Sequence, residues 1–170
     1  NDEESKHYAC LLQWDNIYYQ PPTQEYLAPK TTVRVGLVQW QMRSYKTLDD
    51  LFEQVEFFVD AVSDYKSDFV LFPEYFNAPL MSKYNDKGES QAIRGLAQYT
   101  EEIRDRFINL AISYNINIIT GSMPLIKEDG LLYNAGFLCR RDGTYEMYEK
   151  LHVTPDEIKS WGLSGGKQLK

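Results

Sequence analysis

Cysteine and histidine are scarce. Two of each occur in 170 residues, Cys10 and Cys139 with His7 and His152, and their spacing matches neither a zinc site nor a disulfide framework, so a reduced, cytoplasmic setting is expected. The sequence has no Asn-X-Ser/Thr sequon and no phosphate-loop glycine motif, which leaves nucleotide binding through such a loop without a carrier. Basic charge is also in deficit: 18 Lys and Arg against 25 Asp and Glu leave a net charge of -7. That balance disfavours nucleic acid and anionic membranes as partners. The uncharged stretch 109–126 is interrupted by Ser113, Asn115, Asn117, Thr120, Gly121, Ser122 and Pro124, too polar to span a bilayer. Neither a metal nor a cofactor is expected. A small-molecule partner is the remaining default.

What is present is apolar and aromatic surface, 43% and 14% of residues respectively, enough for the core of one domain. Residues 1–30 stand apart: Tyr8, Trp14, Tyr18, Tyr19 and Tyr26 are interleaved with Gln, Asn and Pro21-Pro22 without steady periodicity, which reads as a connector. The acidic opening is unlike a secretory leader. With no initiator methionine, it reads as a trimmed start. From residue 31 the chain reads as a domain. Val33 to Trp40 has the β-branched, apolar character of a buried strand. Leu48, Leu51, Phe52, Val55, Phe58, Val59 and Val62 then recur at helical steps behind Thr47 and Asp50, a capping-box pair. Phe69-Val70-Leu71-Phe72 predicts a short strand that ends at Pro73. Lys83 to Ser90 reads as a loop, and Thr100 with Glu101 and Glu102 as the cap of a second helix. A third strand runs from Ile116 to Gly121. Leu132 to Arg140 and Thr144 to Lys150 flank Asp142-Gly143, a tight-hairpin signal with both central residues suited to positive φ. Alternating strands and helices closed by a hairpin predict a mixed α/β sheet. The glycine-rich stretch 160–170 completes no element in this reading, as though a fold were cut off there.

Two charged residues sit at strand ends, where open α/β sheets place functional groups: Glu74 after Phe72-Pro73, and Lys150 at the end of the hairpin's return arm. Each alone is as readily a solvent-facing charge. Together with Tyr133-Asn134-Ala135, Asp142-Gly143 and Tyr148-Glu149-Lys150-Leu151-His152, in this order, the pattern resembles the nitrilase, or carbon–nitrogen hydrolase, superfamily from about residue 33 to 170.

The resemblance implies an αββα sandwich with mixed sheets and a Glu-Lys-Cys site that opens a non-peptide C–N bond of an amide or nitrile through a thioester. Glu74 matches the general base and Lys150 the catalytic lysine. The nucleophilic cysteine of that family lies on a later strand, and the chain stops before it. Cys139 is followed by Arg140-Arg141 and does not match that motif, and Cys10 precedes the domain. The 170 residues alone should therefore be inactive. Glu157 resembles a second glutamate that positions lysine and substrate, although capping within Thr154-Pro155-Asp156-Glu157 explains it equally well. Tyr75 and Phe76 either line a substrate pocket or pack in the core, and His152 reads as a structural residue hydrogen-bonded near the site. Residues 1–30 resemble the junction that follows a GNAT-type acetyltransferase domain in some members, and pairing into a homo-oligomer is expected by resemblance. Acyl transfer through the same residues, or a non-catalytic interaction module, are the alternatives. Substrate identity is not legible.

Overall fold

A capping box opens the first helix. Thr47 Oγ1 accepts from the Asp50 N–H and the Asp50 carboxylate accepts from the Thr47 N–H, both at 3.0 Å, satisfying donors that a helix start leaves without partners. Helix α1, Leu48–Asp64, then buries Leu48, Leu51, Phe52, Val55 and Val59 along one stripe, as their spacing predicts. The structure is a computed structural model describing residues 32–168. The chain divides into units Asn1–Val33 and Arg34–Lys170, and the elements below lie in the second. The connector reading of residues 1–30, with its acetyltransferase junction, lies outside the described residues.

Strands β1 (Val35–Leu37) and β2 (Phe69–Leu71) are joined through α1 and run parallel. A 3-10 turn (Ala78–Tyr84), α2 (Glu89–Ala97) and α3 (Thr100–Ser113) follow, and then β3 (Asn117–Ile126), which runs parallel to β2. β4 (Leu132–Cys139) and β5 (Tyr145–Glu149) return as the antiparallel hairpin, and β6 (Leu163–Ser164) pairs parallel with the start of β4. The sheet order is β1-β2-β3-β4-β5, with β6 beside β4. The predicted mixed α/β sheet is therefore present, and the described residues hold one of the two sheets that an αββα sandwich requires.

The two faces of this sheet differ. A carbon added at Gly36 would meet Val62 of α1 at 2.4 Å, so Gly36 faces the helix and its neighbours Val35 and Leu37 face away. The in-register row Leu37, Leu71, Ile119 and Leu138 continues that outer face across four strands. Leu37 is 74% exposed, so an apolar face stands open on the side away from α1. This corrects the reading of Val33 to Trp40 as a buried strand: only Val35–Leu37 pairs, at the sheet's edge, and both of its side chains, Val35 and Leu37, face outward.

Four further elements differ from the sequence reading. The loop expected at 83–90 is confined to residues 85–88, because the 3-10 turn extends to Tyr84 and the unexpected α2 begins at Glu89, with Ala92, Ile93, Leu96 and Ala97 buried. Thr100 does not cap α3: Tyr99 holds the cap position, and the Thr100 hydroxyl, fully buried, donates to the Pro124 carbonyl at 2.5 Å. The hairpin loop comprises Arg141, Asp142 and Gly143, closed by Arg140 N–H to Thr144 O at 2.8 Å, and Gly143 alone takes a positive φ, +85°. This is a turn plus bulge rather than a two-residue turn. Finally, stretch 160–170 is not featureless: a π-helical turn (Glu157–Trp161) ends at Gly162 with φ +72°, and β6 follows.

The core centres on Phe107 of α3, whose ring lies 5.3, 5.2 and 5.6 Å from those of Phe52, Phe72 and Phe76 in edge-on contacts. It joins helices to sheet and is fully buried. Phe107→Ala is expected to cost about 3–5 kcal/mol, read as a lowered midpoint in chemical denaturation. A loss below about 1 kcal/mol, the size of a surface change, would mean that the ring does not hold the layers together.

Candidate active site

A bulge in β3 shapes the ground under Glu74. The β3–β4 register shifts between Ile119 and Ser122, and Gly121 inside it has φ +70°. The buried Thr120 hydroxyl takes over part of the interrupted ladder, accepting from the Phe137 N–H at 3.0 Å and donating to Gly121 O at 2.8 Å. The chain leaving β2 fits against this bulge: Phe72 N–H donates to Ile119 O at 2.9 Å and Tyr75 N–H to Ser122 O at 2.8 Å. Pro73 and Glu74 are thus pinned between two backbone bonds to β3. Tyr75 adopts φ +55°, which a bulky residue takes only where its surroundings impose it.

Lys150 is held from both sides. Its N–H donates to Asn134 O at 2.8 Å, and its carbonyl accepts from Gly166 N–H at 2.9 Å. The ammonium Nζ lies 2.8 Å from Glu157 Oε1 and 3.4 Å from Glu74 Oε1. Glu157 joins the two readings that its sequence left open, because Oε2 accepts from the Thr154 N–H at 2.8 Å while Oε1 serves Lys150. It caps the turn and pairs with the lysine at once. Side-chain exposure falls along the row from 48% at Glu74 through 28% at Lys150 to 10% at Glu157, so the lysine is anchored at its inner partner and reaches outward.

The charges follow from that gradient. The Glu157 carboxylate, more than that of Glu74, holds the Lys150 ammonium above the ordinary lysine range despite some burial. Burial by itself would raise the Glu157 carboxyl, yet hydrogen bonds from Lys150 and Thr154 outweigh it and keep the group below the usual carboxylate range. Around the trio stand two phenols. The Tyr75 hydroxyl is buried without a partner, its ring meets Trp161 edge-on at 5.7 Å, and burial, then the charges of Glu157 and Glu74, raise its pKa. Tyr148 is pushed up to about 12 by burial with the charge of Glu74 adding. Its ring crosses Gly136 so closely that a carbon added there would sit 2.3 Å from Tyr148 Cζ.

Of the residues singled out in the sequence, Glu74, Lys150 and Glu157 are brought together, with Tyr75 beside them. Phe76 is not: it is fully buried in the core 5.7 Å from the Trp40 ring. His152 is exposed, and no hydrogen bond ties it to the site, which corrects the expectation for it. Cys139 is fully buried on the α3 side of β4, where burial pushes its thiol up to about 12, far too high for a thiolate nucleophile at neutral pH. Sequence reasoning passed over Asn134. Its Nδ2–H donates to Glu74 Oε1 at 2.5 Å, and the signal available was its place in Tyr133-Asn134-Ala135, across the hairpin from Lys150.

Two cavities open elsewhere on the described surface. One of about 290 Å³ touches Lys127, Tyr133, Tyr148 and Glu149, and the other lies over Arg104, Phe137 and Tyr145. Neither is lined by Glu74, Lys150 or Glu157. Among the described residues no helix is long and apolar enough to cross a membrane.

Comparison with known proteins converges on one family. The family model described as carbon-nitrogen hydrolase matches residues 34–167. A Bacillus subtilis (strain 168) protein described as probable hydrolase YhcX is 41% identical over 171 residues, which cover all of this chain and 33% of that protein. Among solved structures, a carbon-nitrogen hydrolase from Helicobacter pylori G27 superposes with a TM-score of 0.65 at 18% identity, over 79% of this chain and 45% of that one. An amidase mutant from Nesterenkonia sp. AN1, with the acetamide moiety of fluoroacetamide added covalently at its active-site cysteine, gives 0.61 at 18% identity, over 80% of this chain and 49% of that one. The fold is therefore nitrilase-like, and the chain spans about a third of the curated relative and about half of the solved structures.

Proposed function

The chain belongs to the carbon–nitrogen hydrolase family, and on that premise we propose that it supplies the general base and the lysine of a thiol-dependent amidase. The carrying observation is the convergence of Glu74 and Lys150 at 3.4 Å from positions 76 apart in the sequence. Neither a solvated strand end nor a helix cap requires that meeting. A cysteine from outside these 170 residues would be the nucleophile, since Cys139 is buried and Cys10 precedes the matched domain. The isolated chain is accordingly expected to be inactive.

In this reading Glu74 takes the thiol proton as sulfur attacks the carbonyl carbon. The negative charge that develops on oxygen is met by the Lys150 ammonium, which Glu157 keeps charged and in place. Collapse breaks the C–N bond, with Glu74 returning its proton to the departing nitrogen. Water, deprotonated by the same carboxylate, then opens the thioester to the acid. The adduct on the Nesterenkonia amidase supports a small aliphatic amide as the substrate class, and Tyr75 would line its position. Family membership also supports a homo-oligomer as the working assembly.

The test is mass spectrometry of the full-length protein mixed with short aliphatic amides. Ammonia release and a transient acyl adduct on one cysteine are expected. Adduct decay faster with added amine than in water would favour acyl transfer over hydrolysis. Neither ammonia nor adduct with any amide or nitrile would overturn the enzyme reading in favour of an interaction module.

A further inference from the structure

The two oxygens of Glu74 are not equivalent. Oε1 accepts from Asn134 Nδ2 at 2.5 Å and lies 3.4 Å from Lys150 Nζ, while among the described residues no hydrogen bond engages Oε2. Asn134 is fully buried in β4, and its backbone carbonyl also receives the Lys150 N–H at 2.8 Å. One residue therefore holds the carboxylate with its side chain and the lysine with its main chain. Its remaining amide oxygen is buried without a partner, so its packing leaves a polar atom unsatisfied while the amide N–H meets Glu74.

The placement follows from the hairpin. Phe137 lies under Arg104 of α3, so alternation along β4 puts Asn134 and Gly136 on the face away from that helix. Glu74 reaches that face over the β3 bulge, and Lys150 follows β5 along the other side of β4. The Asn134 side chain on that face donates to the Glu74 carboxylate.

We propose that Asn134 is a positioning residue for the base: its amide N–H fixes Oε1 of Glu74 beside Lys150 and leaves Oε2 as the oxygen that exchanges the proton. This rests on the base assignment above. The proton leaves the thiol for Oε2 and goes from Oε2 to the departing nitrogen, so no further donor is needed. Without the amide the carboxylate rotates about its last bond and presents either oxygen, and proton transfer depends on a geometry it no longer keeps.

The experiment compares steady-state kinetics and alkylation of the nucleophilic thiol in the full-length protein for wild type, Asn134→Leu, Asn134→Asp and Glu74→Gln. Both Asn134 variants are near in shape and lack the amide donor. They are expected to lower kcat by about 10²-fold, leave KM within about threefold, and slow iodoacetamide alkylation in parallel. Asn134→Asp should be the slower of the two, because a second carboxylate repels the first. Wild-type kcat in either folded variant overturns the proposal, as does a rise in KM alone, which would place Asn134 in substrate binding. Loss of the cooperative melting transition in both variants also overturns it, in favour of a purely structural role. Glu74→Gln separates the two levels of inference: if it turns over normally the base assignment fails, whereas an inactive Glu74→Gln beside fully active Asn134 variants sinks the positioning role alone.

Discussion

Glu74→Gln or Lys150→Ala in the full-length protein is expected to abolish turnover while the melting transition survives. The two losses have different origins. Glu74→Gln keeps size and hydrogen bonding but cannot take a proton, and general acid–base help is worth about 10²–10⁴ in rate. Lys150→Ala removes the charge proposed to face the oxyanion, where loss of one donor costs roughly 10²–10³ in kcat. In the proposed reaction both steps use both groups, so the losses should appear in kcat more than in KM. The fold should persist for reasons visible at each residue. Glu74 is half exposed, and an ion pair at 3.4 Å to such a group adds little stability after screening. Glu157 loses its ammonium in Lys150→Ala but keeps the Thr154 N–H at 2.8 Å. Steady-state ammonia release and thermal melting measure the two halves of the prediction. Turnover within about tenfold of wild type, far above the loss that removing a base or oxyanion donor causes, would remove that residue from the reaction.

The second large effect is structural and falls on two glycines beneath the site. A carbon added at Gly121 would stand 2.2 Å from the Pro73 carbonyl oxygen, in a residue with φ +70°. At Gly136 it would stand 2.3 Å from the Gly121 carbonyl oxygen. Neither obstacle is a flexible side-chain end, so backbone must move, and at Gly121 it is the backbone that carries Pro73 and Glu74. Left-handed strain and overpacking together predict a loss of roughly 3 kcal/mol for Gly121→Ala, with activity falling further than stability because Glu74 shifts. Gly130 separates the two causes: it has φ +74° but nothing within 4 Å of the added carbon. Gly130→Ala should cost only about 1–2 kcal/mol. Equal urea midpoints for the Gly121→Ala and Gly130→Ala proteins would show that close packing at the bulge is not what positions the turn after β2.

Legibility in the sequence followed the range of the interactions. Helix α1 was legible because its capping pair lies three residues apart and its apolar stripe repeats every turn, both local properties. The hairpin was legible from Gly143, whose positive φ few other residues tolerate. Helix α2 was not, since Gly95 within it suits helix poorly by itself. It is stabilised by Tyr84, whose ring packs against the glycine so closely that an added carbon would come within 2.6 Å. Thr100 was misplaced for a similar reason: its hydroxyl is used by Pro124, 24 residues away, and no local pattern announces that partner.

The candidate site divides along the same line. Glu74 and Lys150 stood out because each ends a strand inside a recognisable motif, and residue type and chain position are written directly in the sequence. That Glu74 Oε1 meets the Asn134 amide, that Glu157 both caps its turn and grips Lys150, and that Cys139 faces the helices instead of the trio are decided only by folding. Each depends on the register of β4 against β3 and β5 and on the bulge at Gly121, and a shift of one residue in a strand would turn every side chain to the other face. Such a register is set by the sum of packing across the sheet, which no short stretch of sequence contains.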